Sequence, residues 1–209
     1  MSLLNLFPIS AAAKDVAEQS AVACMSAMQR EDILVPTLEE LGWVKTAPGD
    51  LQDEHVMAIA ADSLGSHMLY GDPPAARWQA TWDVVSTTAS GVRRLQVVDG
   101  ASTSRTFMVH PDGPGIVDIT TRNVLGRAMH SCKITVSETL SKNSLVRFTR
   151  NGFSVRTNPI VNTRSQQFGR EPNLTRMQTT YYDREKVSAR IGSDFPFVGT
   201  IFVFNKLGK

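Results

Sequence analysis

Asn151-Gly152 is a dipeptide suited to a two-residue type I′ hairpin, where both positions need a positive φ, and such a turn fixes which residues oppose each other. Pairing outward sets Arg147 across from Arg156, flanked by Thr149 and Ser154, with Val146, Phe148, Phe153 and Val155 on the other side. Like charges opposed across a ladder repel unless an anion sits between them. A phosphate would relieve that repulsion. Upstream, Lys133, Thr135 and Ser137 alternate with Cys132, Ile134 and Val136, so a strand set beside the hairpin would extend the polar face into a surface able to cradle a sugar-phosphate backbone. Arg164, Arg170 and Arg176, then Arg184 and Arg190, recur through a stretch that also holds Phe168, Tyr181 and Tyr182. The candidate nucleic-acid-binding residues are therefore Lys133, Thr135, Arg147, Thr149, Arg156, Arg164, Arg170 and Arg176. The ordinary alternative is a solvated basic face, or one neutralised by a carboxylate from elsewhere in the chain.

No motif points to catalysis. The chain has no GxSxG elbow, no GxxxxGK[ST] phosphate loop, no GxGxxG after a strand and no HExxH helix. His55 and His67 are twelve apart on one predicted helix, too far to share a metal, and surface roles are expected for both; His110 and His130 fall on other stretches without metal-ligand spacing. Cys132 follows His130 closely, but a nucleophile pair is not expected there. Cys24 and Cys132 make no CxxC pattern and are read as buried small hydrophobes in a reducing environment, a disulfide being the lesser alternative. No catalytic residue, metal or cofactor is expected.

The elements that must position these residues change character along the chain. Ser10 can cap a helix running to about Gln29, with a stripe of small residues at Ala13, Ala17, Ser20 and Cys24. Thr37 and Glu40 form a capping-box pattern for a short helix ended by Gly42. A third helix is predicted over 53–68, and Gly71-Asp72-Pro73-Pro74 stops it. Short alternating runs follow: Trp78 to Val84, Val92 to Val98, Arg105 to Val109, Ile116 to Val124, Cys132 to Leu140, Leu145 to Arg150, Phe153 to Thr157, Met177 to Tyr182 and Phe197 to Phe204. The polar stretch from Asn158 to Thr175 reads as a long loop, and Glu185 to Ile191 fits helix or strand. The fold class is α+β, with an N-terminal helical arm of about three helices over 1–75 and a mainly antiparallel β-sheet body over 76–209, together one domain.

The 209 residues carry a net charge of +2, which hides an asymmetry. Residues 1–100 hold 6 Lys and Arg against 13 Asp and Glu, whereas residues 101–209 hold 16 against 7. Opposed halves suit nucleic acid, an anionic surface, head-to-tail contacts between copies, or pairing within one molecule. No transmembrane run is present, and Met1 to Pro8 lacks the leading positive charge of a secretory signal. The expected function is a self-assembling structural protein, a viral-type coat or nucleocapsid protein that packages single-stranded RNA through its basic sheet face, found in the host cytoplasm and the virion. The alternatives are a matrix-like peripheral membrane protein anchored by Leu3, Leu4, Leu6 and Phe7, and a small-molecule-binding β-barrel or unrecognised enzyme with Trp78 and Trp82 in its pocket.

Overall fold

The computed structural model describes residues 15–68, 73–95, 103–124, 127–141, 153–157, 159–170 and 173–206. Its fold is α+β. Among the described residues, eight antiparallel strands, β1 (Val44–Thr46), β2 (Thr103–Val109), β3 (Gly115–Val124), β4 (Arg127–Ser137), β5 (Phe153–Thr157), β6 (Val161–Arg170), β7 (Asn173–Tyr182) and β8 (Phe197–Lys206), form one sheet in the order β1-β2-β3-β4-β8-β7-β6-β5. The last strand in sequence enters the middle, between β4 and β7.

Helices cover both faces, so the N-terminal helices are docked on the sheet. On one side lie α1 (Val16–Ala27) and α2 (Glu31–Glu40), whose Ala17, Ala21, Cys24, Leu34 and Leu38 share a core with Ile134, Ile201 and Val203 of the central strands. On the other side lie α3 (Asp53–His67), α4 (Ala75–Ser90) and α5 (Arg184–Ile191), which bury Leu64, Trp78, Val187 and Ile191 with Phe107, Ile116 and Phe197. Phe195 organises this second core, meeting Trp82, Tyr182 and Phe197 edge-on at centroid distances of 5.8, 5.2 and 5.5 Å.

Several elements differ from the sequence expectation for identifiable reasons. Asp15 caps α1 through the Ala17 amide at 2.9 Å. Thr37 lies inside α2 instead of opening it, its Oγ1 donating to the Ile33 carbonyl at 2.8 Å. Burial of Leu34 and Leu38 carries that helix through Pro36. Gly42 ends it with φ 92°, the Gly42 amide bonding Glu39 O and the Trp43 amide bonding Leu38 O, a Schellman closure. A Cβ at Gly42 would stand 2.7 Å from His110 Nε2, so glycine is needed there twice over.

Trp78 to Val84 is not a strand. Two tryptophans four apart satisfy either period, but Val85 and Ala89 continue the buried series while Val84 is 63% exposed, and helix α4 results. Of the strand expected over Val92 to Val98, Gly91–Arg94 forms a 3₁₀ turn and 96–98 lie outside the described residues. The polar stretch from Asn158 to Thr175 supplies β6 and the start of β7 instead of a loop. Its buried Thr163 meets Thr180 of β7 hydroxyl to hydroxyl at 3.1 Å, so a polar side chain takes an inward position where the strand pattern calls for an apolar one. Glu185 to Ile191 is helical, capped by Asp183 on the Lys186 amide and closed by Gly192 at φ 73°.

Cys24 and Cys132 are buried, as expected, but disulfide-bonded, so the lesser of the two sequence alternatives is the one observed. They lie 108 residues apart in sequence, and the packing of α1 on β4 brings their Cα atoms to 6.0 Å.

His55 is buried, not a surface residue. Its Nδ1 accepts the Gln52 amide at the start of α3, at 3.1 Å, which requires that nitrogen to be unprotonated. Burial lowers its pKa below the ordinary imidazole value; Arg93 adds to the shift and Glu54 opposes it. Burial also lowers the pKa of His130 on β4, against the pull of Glu31. A folded pKa below the unfolded one means that the unfolded chain takes up protons first. The stability these residues contribute is therefore complete above about pH 6.5 and lost as pH falls from there through the folded pKa values. Urea unfolding across pH 7.5 to 5 should show this decline, by at most about 1.4 kcal/mol per pH unit for each histidine. His55→Asn, whose Oδ1 can replace the accepting Nδ1, should flatten the profile; an unchanged slope would remove His55 as its source.

Candidate nucleic-acid interface

The register of the sheet arranges the α3-side residues in successive rows. Ile116, Thr135, Thr200, Thr180 and Thr163 form one buried row, which α3 covers from β3 across β4 and β8 to Thr180. The next row contains Asp118, Lys133, Phe202, Gln178 and Ser165 and is half-buried apart from Asp118. The third contains Arg105, Thr120, Ser131, Phe204, Arg176 and Gln167, with Arg176 and Gln167 exposed. Beyond it Thr103 and Arg122 are exposed. The face thus opens progressively with distance from α3.

Two ion pairs line the transition from the covered to the open part. Asp62 of α3 holds Lys133 Nζ at 2.5 Å, and Asp118 accepts a fork from Arg105, Nε at 2.9 Å and an NH2 at 2.7 Å. Asp62 and Asp118 have only 14% and 8% of their side chains exposed, against 39% for Lys133 and 32% for Arg105, so the carboxylates lie deeper than their partners. The four residues, with Ile59, Ser63, Ile116 and Thr135, line a cavity of about 80 Å³. Lys133 Nζ also lies 5.5 Å from the Phe202 ring centroid, and the Arg105 guanidinium is 4.7 Å from that of Phe107.

Among the described residues, the candidates named from sequence are not gathered on one exposed surface. Lys133 does point to the α3 side, but Asp62 neutralises it. Thr135 is 1% exposed and covered by α3. β4 is paired on both edges, with β3 and β8, so the hairpin expected beside it has no free edge to join. Arg164 is half-buried on the α1 side, opposite Thr179, whereas Arg176 is exposed on the α3 side next to Phe204. Arg156 lies in β5 opposite Thr163, and Arg170 ends β6. Arg147, Thr149 and the Asn151-Gly152 turn lie outside the described residues. Known protein families, curated proteins and solved structures give no match to the chain.

Arg105, Arg122, Phe202 and Phe204 complete the open face and were not singled out from sequence. Phe197 to Phe204 reads as a uniformly apolar strand; the threonine at 200, of the same parity as 202 and 204, was the available hint that one side differs. Trp78 and Trp82 belong to the core around Phe195 and not to a pocket. His130 and Cys132, two apart on β4, face the same side, but the Cys132 sulfur is bonded to Cys24. Among the described residues no three His, Cys, Asp or Glu side chains gather to hold a metal, and no helix is long and apolar enough to cross a membrane.

Proposed function

We propose that this chain is a self-assembling structural protein of the coat or nucleocapsid kind, and that it holds single-stranded RNA against the open part of the α3-side sheet face. The observation that carries the reading is the arrangement of that face, where exposed Arg122 and Arg176 lie on either side of half-buried Lys133, with half-buried Arg105 on the next strand beyond Arg122. Asp62 and Asp118 offset two of those charges, which leaves Arg122 and Arg176 as the cations for phosphate. The remaining positions are mostly Ser, Thr and Gln, able to bond phosphate and sugar without reading sequence.

Size-exclusion chromatography and electron microscopy of the purified protein, with the absorbance ratio for bound nucleic acid, test the assembly. Large particles carrying nucleic acid are the expected result. A monomer that binds no RNA at low salt would sink the proposal. The RNA-binding surface is tested by Arg122→Glu combined with Arg176→Glu. Both positions are exposed, so the fold should persist while affinity for single-stranded RNA falls. The slope of log K against log salt should drop by about 1.4, since each arginine neutralises one phosphate and each such phosphate adds about 0.7. An unchanged slope would leave the two arginines as ordinary surface.

A further inference from the structure

We infer that Phe202 and Phe204 are a stacking platform for two successive bases of an extended single strand; the inference rests on the RNA-binding reading above. Both rings lie on the α3 side of β8, two residues apart, on a strand central to the sheet. Each is half-buried, and neither belongs to the two hydrophobic cores. Their cross-strand neighbours are polar or charged: Lys133 and Gln178 beside Phe202, Ser131 and Arg176 beside Phe204. Aromatic rings of this size normally supply core burial. Here they stand outside the shelter of α3 amid groups that bind phosphate.

The ring geometry selects the ligand. The centroids are 6.1 Å apart with the planes tilted by 35°. Bases in a duplex rise by about 3.4 Å and turn their faces to one another, so a duplex offers no face to either ring. A separation nearly twice that rise suits an extended strand with one base on each ring. Stacking of this kind tolerates any base, since every base has a π face. Arg176 beside Phe204 places a cation for phosphate next to that ring, whereas Lys133, held by Asp62, lies over Phe202 at 5.5 Å from its centroid and backs the ring without adding net charge.

The test measures binding of the full chain to a single-stranded oligouridylate, an RNA duplex of equal length, and inorganic polyphosphate, which has charge but no bases. Phe202→Ala and Phe204→Ala should each weaken oligouridylate binding on the order of 5- to 100-fold and leave polyphosphate binding unchanged. Phe204→Leu, which keeps the apolar bulk, should lose nearly as much as Phe204→Ala, and Phe204→Trp should retain binding. Should an alanine variant fail to fold, the leucine and tryptophan pair still decides the matter. Oligouridylate binding that survives both alanine substitutions but falls with Arg176→Glu would overturn the stacking platform and spare the RNA reading. Wild-type protein that binds neither RNA nor polyphosphate would overturn both. A change of oligomeric state in the phenylalanine variants, with RNA affinity intact, would assign the rings to a contact between copies and also overturn the platform.

Discussion

Reduction of the Cys24–Cys132 bond is expected to lower the unfolding free energy by about 2–5 kcal/mol. The bridge spans a sequence separation of 108 residues and ties α1 to β4. In the chain-entropy account, closing a loop of about 100 residues removes enough freedom from the unfolded chain to be worth about 4.7 kcal/mol, less any strain in the native state. Urea unfolding with and without reductant measures the effect. The reduced protein should unfold at lower urea and with a steeper dependence on it, because its unfolded chain exposes more surface. Cys24→Ala combined with Cys132→Ala should match the reduced wild type and ignore reductant. A wild-type midpoint indifferent to reductant would show that the bridge contributes nothing. The bond also governs the place of α1, whose small side chains Ala17, Ser20 and Ala21 lie flush with the sheet, with Ser20 Oγ accepting Trp43 Nε1 at 2.8 Å.

Gly65→Ala is expected to cost about 2–4 kcal/mol although alanine is the better helix former by about 1 kcal/mol. Gly65 sits in α3 where the Tyr182 hydroxyl passes beneath to donate to the Ala61 carbonyl at 2.7 Å, and an added Cβ would overlap that hydroxyl oxygen. Tyr182 is buried, and burial drives its phenol pKa far above the usual value, so the group stays neutral and must keep its partner. Overpacking and loss of that bond both oppose the substitution. Thermal unfolding of Gly65→Ala, Tyr182→Phe and the double variant forms a cycle. Removing the hydroxyl should recover part of the loss in the double variant, giving a coupling of about 1 kcal/mol or more. Simple additivity would show that the alanine acts elsewhere.

Local signals were legible where one residue type had one physical use. Gly42 after Leu41 announced a helix end, and 53–68 announced a helix by its repeat, one residue beyond the observed end at His67. The alternation of Cys132, Ile134 and Val136 against Lys133 and Thr135 placed those residues on opposite faces correctly, because strand parity is intrinsic to the backbone. What covers each face is not intrinsic to it.

The sequence by itself determined the α+β class, the charge division between its halves and the absence of a recognisable catalytic motif. It also determined that polar and basic residues would line one side of several strands. Only the tertiary structure decided which of those residues meet solvent. Helix α3 crosses the sheet and neutralises Lys133 with Asp62, buries Thr135, and leaves Arg122, Arg176, Phe202 and Phe204 on the uncovered end of the same face. Likewise Cys24 reaches Cys132 through the packing of α1 on β4 and on β8, the last described strand, which enters beside β4. Both outcomes depend on contacts between residues far apart in the chain, which composition, spacing and periodicity do not encode.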